Sequence, residues 1–115
     1  MEEQELVRTP HQMWQDYLFL SKEMFRFLEE EDMDLFNELM NQRETLQKQL
    51  EAVKHQGFHR SLEGKQFLDE IRQLNQKMTF KLRYYLNRAK QQQKVDDAYE
   101  GIVSSFAPSR VEWKS

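Results

Sequence analysis

The chain of 115 residues contains no cysteine, three glycines and two prolines, and no long apolar run. Without cysteine there is no disulfide, no thiol nucleophile and no thiolate metal site. So few glycines and prolines leave little material for β-turns. No stretch approaches the roughly 18 consecutive apolar residues of a membrane-spanning helix. The first residues, Met-Glu-Glu-Gln-Glu, are acidic, whereas a secretory signal opens with positive charge and an apolar segment. The expectation is a soluble, cytoplasmic protein.

Catalytic patterns are missing as well. None of the six serines sits in a Gly-x-Ser-x-Gly elbow, and the glycines are too scattered for a phosphate loop. His55 and His59 are four apart, but Gly57 lies between them and no carboxylate completes a metal set, so both read as solvated loop histidines. Asp69-Glu70 and Asp96-Asp97 are adjacent pairs that diverge on a helix and read as surface charge. The chain is expected to be no enzyme, with no cofactor and no metal.

What is present is helical periodicity. Met13, Tyr17, Leu20, Met24 and Phe27 form one stripe; Phe36, Leu39, Arg43, Leu46, Leu50 and Val53 a second; Leu68, Ile71, Asn75, Met78, Leu82, Tyr85 and Ala89 a third. Steps of three and four put each set on one face of an α-helix. The fold class is therefore all-α: an antiparallel helical hairpin plus a long third helix, in a three- to four-helix bundle. Residues 1–9 read as a flexible leader, 10–100 as the bundle domain and 101–115 as a flexible C-terminal tail.

Thr9-Pro10 marks a helix start, with Thr9 as cap and Pro10 in the first turn, where its missing N–H is not needed. Helix 1 is expected over 10–30. Its apolar side chains fill an arc of about 180°, interrupted only by Ser21, where a single neighbour needs about 100°. It should pack on two helices, or on one helix and a second molecule. The acidic run 29–34 reads as a solvated turn in which Asp32 or Asp34 caps helix 2, expected over 33–54. So short a link makes an antiparallel hairpin. A loop over 55–64, bounded by Gly57 and Gly64, precedes helix 3 over 65–93. Helix 3 outruns its partners, so its end projects or is covered by the tail.

Arg43 stands mid-stripe, where an unpaired guanidinium is too costly to bury. Either the stripe opens to water there or Arg43 reaches an acceptor, for which Asn75 is a candidate. Replacement of Arg43 by leucine is expected to be close to neutral or stabilising.

Charge is uneven. Residues 1–36 carry ten acids and three bases, and residues 76–94 carry six bases and no acid. A basic helix invites a nucleic-acid reading; the plainer one is that helices 1 and 3 lie side by side and partly neutralise each other, with no nucleic acid bound. Phe80 and Tyr84, four apart, lie opposite the helix 3 stripe beside Lys77, Lys81 and Arg88. They read either as a contact site or as core covered by the tail or a second subunit. The candidate partner-binding residues are Phe80, Tyr84, Arg88, Tyr99, Ile102 and Phe106, the tail residues competing for the surface of the aromatic pair.

A Trp/Leu-rich first helix, an acidic turn with Met33-Asp34-Leu35, the helix Leu39-x-x-x-Arg43-x-x-Leu46-x-x-x-Leu50, a glycine-bearing loop, Leu74-Asn75 and a closing Asp97-Ala98-Tyr99 follow in order. Over about residues 12–100 this resembles the FliT-type flagellar export chaperones. The resemblance implies a small cytoplasmic helical protein that binds a late flagellar export substrate, the filament-cap protein, and delivers it to the type III export ATPase complex. It also implies a C-terminal segment, here Tyr99 to Phe106, that folds back over the client surface. A FlgN-type chaperone for hook–filament junction proteins and a structural homodimeric coiled coil are the alternatives.

Overall fold

The computed structural model describes residues 8–92 together with Gly101, Ile102 and Phe106. Among these residues the architecture is all-α, with no strand. Three helices follow in order: α1 (Pro10–Glu29), α2 (Met33–Ala52) and α3 (Leu62–Gln91). None is long and apolar enough to cross a membrane.

Local sequence sets the ends. Thr9 accepts from the Gln12 amide at 3.1 Å while the Gln12 side chain accepts from the Thr9 amide at 3.0 Å, a reciprocal cap at the start of α1. Helix α1 closes on Glu31, whose backbone is left-handed at φ 57°; the Asp32 amide donates to Phe27 O and the Glu31 amide to Leu28 O, both at 2.9 Å. Asp32, the first of the two expected capping acids, then accepts from the Leu35 amide at 3.2 Å and opens α2.

Helix α1 packs on both α2 and α3, which satisfies its wide apolar arc within one molecule. Tyr17 reaches Gln47 and Ser21 reaches Arg43, so α1 and α2 are antiparallel. His11 meets Glu63, Lys22 meets Glu70 and Arg88 meets Glu31, so α1 and α3 run parallel. The bundle goes up, down, up.

The core has two lobes. Trp14, Tyr17, Leu18, Leu46, Leu50, Leu68 and Ile71 fill the end nearest the α2–α3 loop. Met24, Leu28, Phe36, Met78, Leu82, Tyr85 and Phe106 fill the other. Between them lies a polar layer with one residue from each helix: Ser21, Arg43 and Asn75, all buried. Arg43 Nη1 donates to Ser21 Oγ at 2.8 Å and to Asn75 Oδ1 at 2.9 Å, and Ser21 Oγ donates on to Tyr17 O at 2.8 Å. The seam of α1 thus passes through Trp14, Tyr17, Ser21, Met24 and Leu28. The apparent interruption at Ser21 is the point where a small hydroxyl lets the guanidinium approach α1.

Two expectations about the loop are corrected. Helix α3 begins at Leu62, capped by Ser61 Oγ on the Gly64 amide at 3.0 Å, so Gly64 lies inside its first turn rather than ending the loop. A Cβ on Gly64 would stand 2.0 Å from Phe58 O and 2.8 Å from His59 Cα, so only glycine lets the loop lie against the helix. That same approach buries His59, in a single 3-10 turn over Phe58–Arg60, while His55 stays exposed. Burial, followed by Arg60 and then Lys54, lowers the His59 pKa below its ordinary value of 6.5.

Candidate partner-binding surface

Helix α3 has 30 residues against 20 in each of its partners, a length of about 45 Å at 1.5 Å per residue. Its inward stripe, Leu68, Ile71, Asn75, Met78, Leu82 and Tyr85, is buried as periodicity required, and Ala89 at the end of the stripe is half-buried. Tyr85 donates its phenolic O–H to Leu28 O at 3.0 Å, a second donor to a carbonyl that also accepts from the Glu31 amide at the C-terminal end of α1. Burial, and next the Glu31 carboxylate, raises the Tyr85 pKa and keeps that donor protonated.

The opposite face of α3 carries the aromatic pair. Phe80 is 77% exposed and Tyr84 56% exposed, although both are large enough to anchor a core. At about 100° per residue, Phe80 and Tyr84 point straight away from the Met78–Leu82 seam, with Lys77 on one flank and Arg83 on the other. From Ile71 to its end at Gln91 the helix contains no aspartate or glutamate. Lys77, Arg83 and Lys90 make no ion pair with any described residue. Cationic flanks around an apolar centre give a surface able to bind both an apolar side chain and a carboxylate.

Arg88, the third expected site residue on α3, is tied back to the bundle. It forms an ion pair with Glu31 and stands over the rings of Tyr85 at 5.1 Å and Tyr84 at 5.9 Å. It fastens the acidic turn to the basic end of α3. The expected neutralisation between helices 1 and 3 is visible in that pair. Farther down, the sign reverses at Lys22 of α1, which faces Glu70 of α3, and the His11 ring lies 2.9 Å from the Glu63 carboxylate.

The tail residues occupy a different place from the expected one. Phe106 is buried, 6.1 Å from the Phe36 ring and 5.6 Å from the Arg43 guanidinium, and Ile102 packs on the same lobe. This lobe is on the reverse side of α3 from Phe80, so neither residue lies over the aromatic pair. The reason is geometric: α2 and α3 both pack on α1 and approach each other less closely, and Phe106 fills the space beside Phe36 and Arg43. Tyr99 lies outside the described residues, as do residues 1–7, 93–100 and most of the expected tail. Sequence periodicity carries no signal for the docking of Phe106, because it depends on a gap between helices far away in the chain.

Three further large apolar side chains are exposed, Phe19, Leu35 and Leu62. Phe19, on α1, is 61% exposed and lines an open groove of about 380 Å³ with Leu20, Leu46 and the Arg8–Asp16 ion pair. Among the described residues no group of three or more His, Asp or Glu side chains gathers to hold a metal ion. Compared with family models, with curated proteins and with solved structures, the chain matches none.

Proposed function

We propose that this protein is a binding protein without catalytic chemistry: a flagellar type III export chaperone of the FliT kind, which holds the filament-cap protein as a late export substrate and delivers it to the export ATPase complex. The single observation that carries the reading is the Phe80–Tyr84 pair, left in solvent on a highly charged helical bundle. A chaperone for an export substrate has to present apolar surface and still remain soluble. The cationic flanks of α3 supply the second requirement. Clients that fold only on assembly offer amphipathic helices, which dock through anchors at i, i+3, i+4 and i+7. The order of sequence features over about residues 12–100 supports the same family.

The test is a titration of the purified full chain with the filament-cap protein of the same organism, read by light scattering after size exclusion. A defined complex is expected, and Phe80→Ala with Tyr84→Ala should abolish it while leaving the circular dichroism unchanged. No complex at micromolar concentrations of both proteins overturns the reading.

A further inference from the structure

We infer that the outward face of α3 is a docking site for an acidic amphipathic helix. The inference deepens the chaperone reading by naming the chemistry of the partner, and it rests on that reading only for the partner's identity. Phe80 and Tyr84, one helical turn apart, form an apolar centre that stays largely exposed, with Arg88 beside the Tyr84 ring. Lys77 and Arg83 flank it, Lys90 continues the charge towards the C-terminal end, and none of the three is paired with a described acid. A helix laid along this face needs apolar side chains at i and i+4 to meet the two rings, and carboxylates on either side of them to meet the cations. Lysine flanks would face like charge, which selects against basic partners.

Charge complementarity also chooses between occupants. The chain's own exposed acidic segment, the 29–34 turn, already faces α3 of the same molecule through Glu31 and Arg88. Among the described residues, the densest acidic run of a second copy is therefore already turned towards its own α3. Nucleic acid shares the negative charge, but the rings here lie at the centre of the face and the cations on its flanks. This order matches an amphipathic helix, with its apolar stripe between polar edges.

The experiment uses the full chain and three labelled synthetic helices of the same length. They share one leucine stripe and differ only in flanks of glutamate, glutamine or lysine. Binding is read by fluorescence anisotropy at low and high salt. The glutamate peptide should bind roughly tenfold more tightly than the glutamine peptide at low salt, with the advantage shrinking as salt rises. Charge reversal by Lys77→Glu, Arg83→Glu and Lys90→Glu should transfer the preference to the lysine peptide. Phe80→Ser with Tyr84→Ser should remove binding of all three. These positions are exposed, so circular dichroism should match the parent.

Equal binding of the glutamate and glutamine peptides overturns the inference, and so does a preference that survives charge reversal. Tighter binding of a single-stranded oligonucleotide, lost in the same variants, replaces it with a nucleic-acid site. If the glutamate peptide binds as described and the filament-cap protein does not, the chaperone reading falls and the docking site stands. If the cap protein binds with no response to charge reversal, the docking chemistry falls and the chaperone reading stands.

Discussion

Arg43 on α2 donates a hydrogen bond of 2.9 Å to the side-chain oxygen of Asn75 on α3, across a core in which both residues are buried. Ser21 on α1 takes a second bond from the same nitrogen at 2.8 Å, and the Tyr17 and Phe106 rings lie 5.0 and 5.6 Å from the guanidinium. One cation thus touches every helix and the segment that follows them. Polar positions within helical seams commonly fix register, and a one-turn slip of α3 would carry Asn75 about 5.4 Å away from Arg43.

The sequence alone pointed to a near-neutral Arg43→Leu. The hydrogen bonds reverse that expectation. Asn75 Nδ2 already has no hydrogen-bond partner among the described residues, and the single change strips Oδ1 as well. Arg43→Leu should therefore lower stability by about 1–3 kcal/mol, the cost of a buried polar group left unmade. The double variant Arg43→Leu with Asn75→Leu should recover most of that loss, because an apolar layer replaces the whole polar one. Chemical denaturation of the two variants and the parent measures both numbers. A double variant no more stable than the single would show that the layer is irreplaceable.

The three helices, the hairpin and the Thr9 cap were legible in the sequence, which also narrowed the cap of α2 to Asp32 or Asp34 and offered Asn75 as one of two outcomes for Arg43. Each follows from spacing within about one helical turn or from an unusual residue within a stripe. Gly64, His59 and Phe106 were not. Gly64 looks like a helix breaker, and its use becomes apparent only when Phe58 O is seen where a Cβ would be. His59 is buried by that same approach, and Phe106 by a gap between two helices. Such placements depend on how distant segments meet, and no periodicity encodes them. On the candidate surface, the outward direction of Phe80 and Tyr84 was legible from phase alone, whereas the binding of Arg88 to Glu31 needed the parallel arrangement of α1 and α3.

Gly64→Ala should be strongly destabilising. Alanine usually improves a helix interior by up to about 1 kcal/mol over glycine. Here its Cβ would lie 2.0 Å from a backbone oxygen, so the 3-10 turn over Phe58–Arg60 must move. The expected loss is about 2 kcal/mol or more, read from the thermal midpoint. A gain in stability would mean that the loop stands off from α3.

His59 makes stability depend on pH. Its folded pKa is depressed by burial, Arg60 and Lys54, so the unfolded chain binds the proton more readily. The contribution is complete above the unfolded value of 6.5 and is lost as pH falls through that value towards the folded one. Denaturation midpoints should fall as pH is lowered from about 7.5 to about 5.5, and His59→Gln should flatten that part of the profile. An unchanged profile in the variant would assign the dependence to other groups.

Phe106 tests whether the segment after α3 belongs to the core. It is 7% exposed against Phe36 and Arg43, so Phe106→Ala removes a buried ring and uncovers the guanidinium. The expected loss is about 2–4 kcal/mol, slightly below that of a ring enclosed on all sides. Deletion of residues 101–115 should cost about the same. If deletion costs little while Phe106→Ala costs much, the alanine variant harms the fold by a route other than lost packing.

Glu31 separates backbone strain from charge. Its φ of 57° is left-handed, a region in which a side chain is unfavourable by about 1 kcal/mol, and its carboxylate pairs with Arg88. Glu31→Ala and Glu31→Gly both delete the carboxylate, so they differ only in the backbone. Inside a helix alanine is the more stable of the two by about 1 kcal/mol. At this position the order should invert, with Glu31→Gly more stable than Glu31→Ala by a similar amount. The comparison of parent with Glu31→Ala then measures the ion pair, which is partly exposed on both sides and should contribute no more than about 1 kcal/mol, declining with salt. Should alanine prove the more stable, α1 would have to continue past Glu30 in solution, and the acidic turn that brings Glu31 to Arg88 would not be the one described.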